Sequence, residues 1–220
     1  MSTENSGPYI PPELTEADLE AYDKGGYGNA ELAVDPSDLA VLVIDMTREF
    51  VDPRFPNGHE RGETCAEHIA TLLDVTRTLN VPTVYTRYPG YETRAEQGSW
   101  GETLDDIDPL PSEAYEIHPS IEPTEDDPLL DKAKPSGFFG TQLESVLNHY
   151  GVSSVVITGM TTSGCIRATV IDAFSYNYDV ILPRECVADR ALVPHRINLF
   201  DMGMKYATVA DLGTVLERLE

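Results

Sequence analysis

Between Ser153 and Tyr176 the hydrophobic period of the chain changes once. Val155, Val156 and Ile157 form an unbroken apolar run that ends at Gly159. Small residues follow, Thr161, Thr162, Ser163 and Gly164, and then Cys165. Beyond Cys165, Ile166, Thr169, Val170, Ala173 and Phe174 recur at helical spacing. A buried strand that turns into a helix is half of a βαβ unit, and it restricts the chain to sheets whose faces are covered by helices.

The same alternation recurs along the chain. Leu39-Ala40-Val41-Leu42-Val43-Ile44 reads as a strand buried on both faces and ends at Asp45. Residues 64–79 place Cys65, Ile69, Leu72, Leu73 and Leu79 on one helical face. Residues 81–86 predict the next strand and 129–132 a short one. Thr141 with Glu144 reads as a capping box for a helix bearing Leu143, Val146 and Leu147. A strand at 180–182, a helix at 195–206, a strand at 207–210 and a terminal helix capped by Asp211 complete the series. The pattern predicts an α/β fold, a three-layer αβα sandwich around a six-stranded, mainly parallel sheet.

Residues 1–34 read as an N-terminal arm and 35–220 as one domain. Pro8, Pro11, Pro12, Gly25, Gly26 and Gly28 interrupt the arm, which holds a short helix opening at Thr15 with Asp18 as its capping partner. Tyr9, Ile10 and Tyr27 are candidates for docking it on a neighbouring subunit. Residues 88–127 are rich in proline and acid and hold the only tryptophan, Trp100. A stretch this long is expected to be functional or disordered.

The formal net charge of -23 argues against nucleic acid and anionic membrane as partners. No stretch reaches membrane-spanning length, and the first residues lack a signal-peptide pattern. The three cysteines, Cys65, Cys165 and Cys186, fit neither a disulfide framework nor a zinc pattern, so a reducing, cytoplasmic setting is expected. Acids dominate and lysines are scarce, which suggests a salt-loving source. Unchanged structure at low salt would remove that expectation.

Ligands of open parallel sheets bind beyond the carboxyl ends of the strands. Asp45, Lys132 and the Cys165 loop each lie at or just past such an end. A thiol at a helix N-terminus is expected to favour thiolate, and the backbone N–H groups there can hold an oxyanion. Each residue also has a plain structural alternative. Cys165 can be a small buried hydrophobe, Asp45 the cap of a turn and Lys132 a solvated lysine.

Three blocks carry a resemblance: LVIDM at Asp45, DKAKPSGFFGTQLESVL, and ITGMTTSGCIRATVIDA. In these the chain resembles the isochorismatase-like cysteine hydrolases from about Leu39 onward. FFGT, PRECVADR, INLFDMGMKYATV and YDKGGYGN in the arm are similar to the branch of N-carbamoylsarcosine and maleamate amidohydrolases. The resemblance implies strand order 3-2-1-4-5-6 and a catalytic set of Asp45, Lys132 and Cys165, with Lys134 the alternative to Lys132. It also implies a cis peptide at Met160–Thr161, with the N–H groups of Thr161 and Cys165 as the oxyanion hole.

The resemblance further implies a small amide or carbamoyl substrate bearing a carboxylate, taken by Arg190. Arg190 has a surface ion pair as its plain alternative, and Arg87 is a second candidate. Arg167 is expected to pair structurally. Phe50, Tyr88, Trp100 and Phe138 are candidate pocket residues. Some relatives bind a metal through Asp-x-His. That motif is absent here, and His59, His68, His118, His149 and His195 are scattered, so neither metal nor cofactor is expected. A homo-oligomer, by resemblance a tetramer, is expected. A vinyl-ether hydrolase and a non-catalytic metabolite-binding scaffold remain as other readings.

Overall fold

The computed structural model describes residues 9–28, 31–90, 93–99 and 110–219, so Trp100 lies outside the described residues. Its strands are β1 (Leu39–Ile44), β2 (Thr83–Arg87), β3 (Leu129–Asp131), β4 (Ser154–Met160), β5 (Asp179–Pro183), β6 (Val187–Ala188) and β7 (Thr208–Ala210). They form one sheet in the order β3-β2-β1-β4-β5-β7, with β6 also paired to β4. Every pairing is parallel. The expected order therefore holds with β7 as its sixth strand. β6 is the addition: it takes the edge of β4 at Gly159 and Met160, past the residues that pair with β5. Two residues are too few to display a period, so the sequence did not reveal it.

The helices are α1 (Glu16–Lys24), α2 (Arg48–Val51), α3 (Glu60–Thr78), α4 (Arg94–Gln97), α5 (Leu143–Tyr150), α6 (Arg167–Ser175), α7 (Leu192–Lys205) and α8 (Leu212–Leu219). Among the described residues no helix is long and apolar enough to cross a membrane.

β1 shows why the sheet needs two covers. All six of its side chains are buried. Leu39, Val41 and Val43 join Ile69, Leu72 and Leu73 of α3 and Val215 of α8 in one core. Ala40, Leu42 and Ile44 join Leu147 of α5, Val170 of α6 and Met202 of α7 in the other. Alternate residues of a strand face opposite sides, so an unbroken apolar run stabilises both layers at once. Each large side chain buried this way contributes roughly 1.5–3 kcal/mol.

Two expected caps are built differently. Thr141 Oγ1 accepts from Leu143 N–H at 3.1 Å, but the Thr141 N–H points to Phe138 O, which leaves Glu144 no amide to reach back to. At α8 the cap is Glu185, which accepts from Leu212 N–H at 2.8 Å. Asp211 instead pairs with Arg184. The arm helix α1 carries the expected Thr15–Asp18 capping box. Tyr22 of α1 meets Phe200 of α7 edge to face, with centroids 4.9 Å apart, and Tyr9 packs on the second core. Ile10 and Tyr27 stay about half exposed.

Candidate active site

The site is built at the carboxyl ends of β1, β3 and β4. Asp45 follows β1 directly and is buried. Its φ of 52° lies in the left-handed region, which costs a non-glycine residue about 1 kcal/mol. Thr86, at the end of the neighbouring strand β2, holds it there twice. Asp45 N–H donates to Thr86 O at 3.0 Å, and Thr86 Oγ1 donates to Asp45 Oδ1 at 2.9 Å. The second carboxylate oxygen is left for Lys132.

Lys132 follows β3, and its N–H is held by Arg87 O at 2.9 Å. Its Nζ lies 2.6 Å from Asp45 Oδ2, 3.4 Å from Cys165 Sγ and 3.0 Å from Lys134 O. The three donors of the ammonium thus have three partners, and Lys132 is 4% exposed. Lys134 supplies a carbonyl here, so the first of the two candidate lysines occupies the centre. The following loop is tied to α6: Gly137 N–H donates to Thr169 Oγ1 at 2.9 Å, and Thr169 Oγ1 donates to Cys165 O at 2.7 Å.

Cys165 stands in a π-helical turn, Thr162–Ile166, that precedes α6. The peptide Met160–Thr161 at its entrance is cis. Gly159 has φ +115°, and a Cβ there would sit 2.0 Å from Ile44 O, so only glycine lets β4 pass β1 at this point. Asp189, after β6, anchors the turn. Its Oδ2 accepts from Ser163 N–H at 2.7 Å and Ser163 Oγ at 2.6 Å, while Oδ1 accepts from Arg190 N–H at 2.8 Å. Thr162 Oγ1 and His195 Nδ1 are 2.8 Å apart, which ties the turn to α7.

The electrostatics correct one expectation. A thiol at a helix start should lean toward thiolate, yet burial pushes the Cys165 thiol up to about 12. The charge of Asp45 and the thiol's hydrogen bond to it add to the rise, while Lys132 opposes it. Cys165 also lies inside the π turn rather than at the first residue of α6. Burial works against the Lys132 ammonium, but Asp45 and Cys165 together outweigh it, so Lys132 lies above its ordinary value. The cluster at rest is therefore a carboxylate–ammonium pair beside a neutral thiol.

Asp45, Lys132, Thr161 and Cys165 form one side of a cavity of about 310 Å³. Phe50 and Tyr88 line it, as expected, and Arg190 lies at the same cavity with its guanidinium 5.6 Å from the Phe50 ring centroid. Phe138 does not reach it. Its ring is buried in the core against Tyr176 and Tyr178, at 5.3 and 6.0 Å, because the Gly137–Thr169 bond turns this loop toward α6. Arg87 pairs with Asp131 at 2.7 Å and lies outside the cavity lining. Arg167 pairs with Asp201 at 2.6 Å. Glu49 and Asn57 also line the cavity and had no counterpart in the sequence reading. The available signal was an acid four residues past Asp45, beside an aromatic. A larger cavity of about 440 Å³ lies at the other ends of β4 and β5, but no cysteine lines it, so it is not the site. Among the described residues no three His, Cys, Asp or Glu side chains are grouped to hold a metal.

The Isochorismatase domain model matches residues 39–213, which contain every residue of this cluster. The chain belongs to the isochorismatase family. Two curated relatives of this isochorismatase-family chain are amidohydrolases by name. Maleamate amidohydrolase of Pseudomonas putida is 33% identical, over 82% of this chain and 86% of its own length. N-carbamoylsarcosine amidase of an Arthrobacter species is 28% identical, over 99% of this chain and 88% of its own. Among solved structures, a cysteine hydrolase from Pseudomonas syringae pv. phaseolicola shares the fold. Its TM-score is 0.75 at 23% identity, covering 87% of this chain and 96% of that one.

Proposed function

We propose that the protein is a cysteine amidohydrolase that cleaves a carbamoyl or amide C–N bond of a small carboxylate and releases ammonia. One observation carries the reading. A buried lysine bridges a carboxylate, at 2.6 Å, and a thiol, at 3.4 Å, beside a cavity that also presents an arginine. Two curated relatives named for amidase activity support it.

The chemistry follows from the charges. A thiol with a pKa pushed up to about 12 is not ionised by solvent at neutral pH. Asp45 is the base within reach, and passing the proton to it leaves the net charge of the cluster unchanged. Lys132 stays protonated and sits against both the carboxylate that receives the proton and the sulfur that loses it. The sulfur attacks the carbonyl carbon, and the carbonyl oxygen becomes an oxyanion held by the N–H groups of Thr161 and Cys165. Collapse breaks the C–N bond, Asp45 returns the proton to nitrogen, and ammonia leaves. Water then gives its proton to Asp45 and cleaves the thioester or thiocarbamate, restoring the thiol. Arg190 takes the substrate carboxylate in a bidentate fork.

The test is ammonia release from a panel of small amide and carbamoyl acids. Turnover lost in both Cys165→Ala and Asp45→Asn is expected. Turnover of a vinyl ether that survives Cys165→Ala would replace this reading with the vinyl-ether hydrolase. No turnover by the unmodified chain on any member would favour the binding scaffold.

A further inference from the structure

The cavity holds an acid that the reaction does not use. Glu49, in α2, is 8% exposed. Its Oε1 accepts from Asn57 Nδ2 at 2.7 Å, and Asn57 Oδ1 accepts from Arg190 Nη2 at 3.2 Å. Its Oε2 is buried and has no hydrogen-bond partner among the described residues. An unpaired buried carboxylate oxygen costs more than an ordinary lost hydrogen bond, so its presence beside a ligand cavity calls for a ligand donor.

Three facts fix what that donor must be. First, a guanidinium only donates, so Arg190 compels Asn57 to turn its oxygen outward and its NH2 group toward Glu49. Oε1 is therefore the occupied acceptor and Oε2 the unpartnered one. Second, Glu49 lines the same cavity as Asp45, at its reacting end, and Arg190, at its carboxylate end, and is joined to Arg190 through Asn57. A ligand reaching from Asp45 to Arg190 therefore runs along the cavity wall that carries Glu49 and Asn57. Third, the acid lies above its ordinary value, chiefly through burial, while Asn57 and Arg190 act to keep it ionised. A substrate N–H meeting Oε2 would add to that second group.

We propose that Glu49 is a specificity-determining residue whose unpartnered Oε2 turns to accept a hydrogen bond from an N–H placed between the scissile carbonyl and the substrate carboxylate. The site then selects N-carbamoyl amino acids with a secondary nitrogen over their N-methyl counterparts and over amido acids with carbon at that position. This rests on the amidohydrolase reading for which end of the substrate meets Arg190.

N-carbamoylglycine and N-carbamoylsarcosine differ by one methyl group on the nitrogen in question. The unmodified chain is expected to prefer the first by at least tenfold in kcat/KM. In Glu49→Gln the side-chain oxygen stays with Asn57 Nδ2, so an NH2 group faces the ligand N–H, and the preference is expected to fall to about one or below. Binding measured by calorimetry, with Cys165→Ala and with Cys165→Ala/Glu49→Gln, gives the same comparison without turnover. The two ligands also test the unmodified chain, where no substitution can disturb folding. Equal handling of both ligands by the unmodified chain, a preference that persists in Glu49→Gln, or binding of neither ligand would each overturn the proposal. Ammonia released equally from both leaves the amidohydrolase reading standing and removes Glu49. A Glu49-dependent binding preference without ammonia release keeps Glu49 and removes the amidohydrolase.

Discussion

Replacing Lys132 with methionine keeps an unbranched side chain one atom shorter and deletes its charge. Asp45 and Lys132 have side chains only 2% and 3% exposed, and they meet at 2.6 Å. At an effective dielectric of about 20 this attraction is roughly 6 kcal/mol, offset in the intact pair by the cost of desolvating both ions. Deleting one partner leaves a buried carboxylate uncompensated, which destabilises by roughly 3–5 kcal/mol. The penalty has a defined pH dependence. In the variant a buried negative charge has no cation beside it, so the loss is largest where that charge is present and smaller in acid. In the unmodified chain the Lys132 pKa is raised, so its contribution is complete below about 10 and is lost only as pH rises through the folded value. Urea unfolding at about pH 5 and about pH 8 reads the first effect, against a parent in which the Lys132 contribution is constant over that range. The variant should lose more stability at the higher pH, and Asp45→Asn/Lys132→Met should recover most of the loss by removing the orphaned charge. A loss under about 1 kcal/mol, or one equal at both pH values, would refute a buried ion pair at this position.

Other outcomes follow from the same geometry. Asp45→Asn removes the anion that helps hold the Cys165 thiol up to about 12 and leaves Lys132 to favour the thiolate. Iodoacetamide at about pH 8 should therefore alkylate Cys165 at least tenfold faster in this variant, even though ammonia release fails. Alkylation that is slower or unchanged would contradict the assigned charges. Arg190→Ala should raise KM for carboxylate substrates by roughly tenfold or more and leave neutral amides nearly untouched. An equal effect on both, read from initial rates, would take Arg190 out of substrate binding. In Gly159→Ala the new Cβ meets backbone only 2.0 Å away, so thermal melting should show a severe loss or no folded protein. A Tm within a few degrees of the parent would show that β1 and β4 can separate there.

Much of this fold was legible because its central strands are buried on both sides. An unbroken run such as Leu39–Ile44 has few other places to go, and parallel strands put their ends on one edge. That is why position put Asp45, Lys132 and the Cys165 loop at one sheet edge, while the choice of Lys132 over Lys134 came from the family resemblance. Phe138 was misplaced because an aromatic after Ser-Gly reads the same whether its loop turns to the cavity or to α6. The direction is set by the hydrogen bond from Gly137 to Thr169, 32 positions further along the chain. Glu49 and Asn57 were invisible for a related reason. Their chain Glu49–Asn57–Arg190 closes across 133 residues at its last step, and no local pattern records it. The state of the thiol depends on burial and on Asp45 at close range, which outweigh the helix-end effect that the sequence suggested.

The central claim is a covalent bond between Cys165 and the substrate carbonyl carbon. Acid quenching during turnover of N-carbamoylglycine, followed by intact-protein and peptide mass spectrometry, tests it directly. The account predicts an adduct equal to the substrate minus ammonia, confined to the peptide containing Cys165 and absent from Cys165→Ala. Turnover in Cys165→Ala at the parent rate, with no adduct on the parent at any quench time, would contradict it.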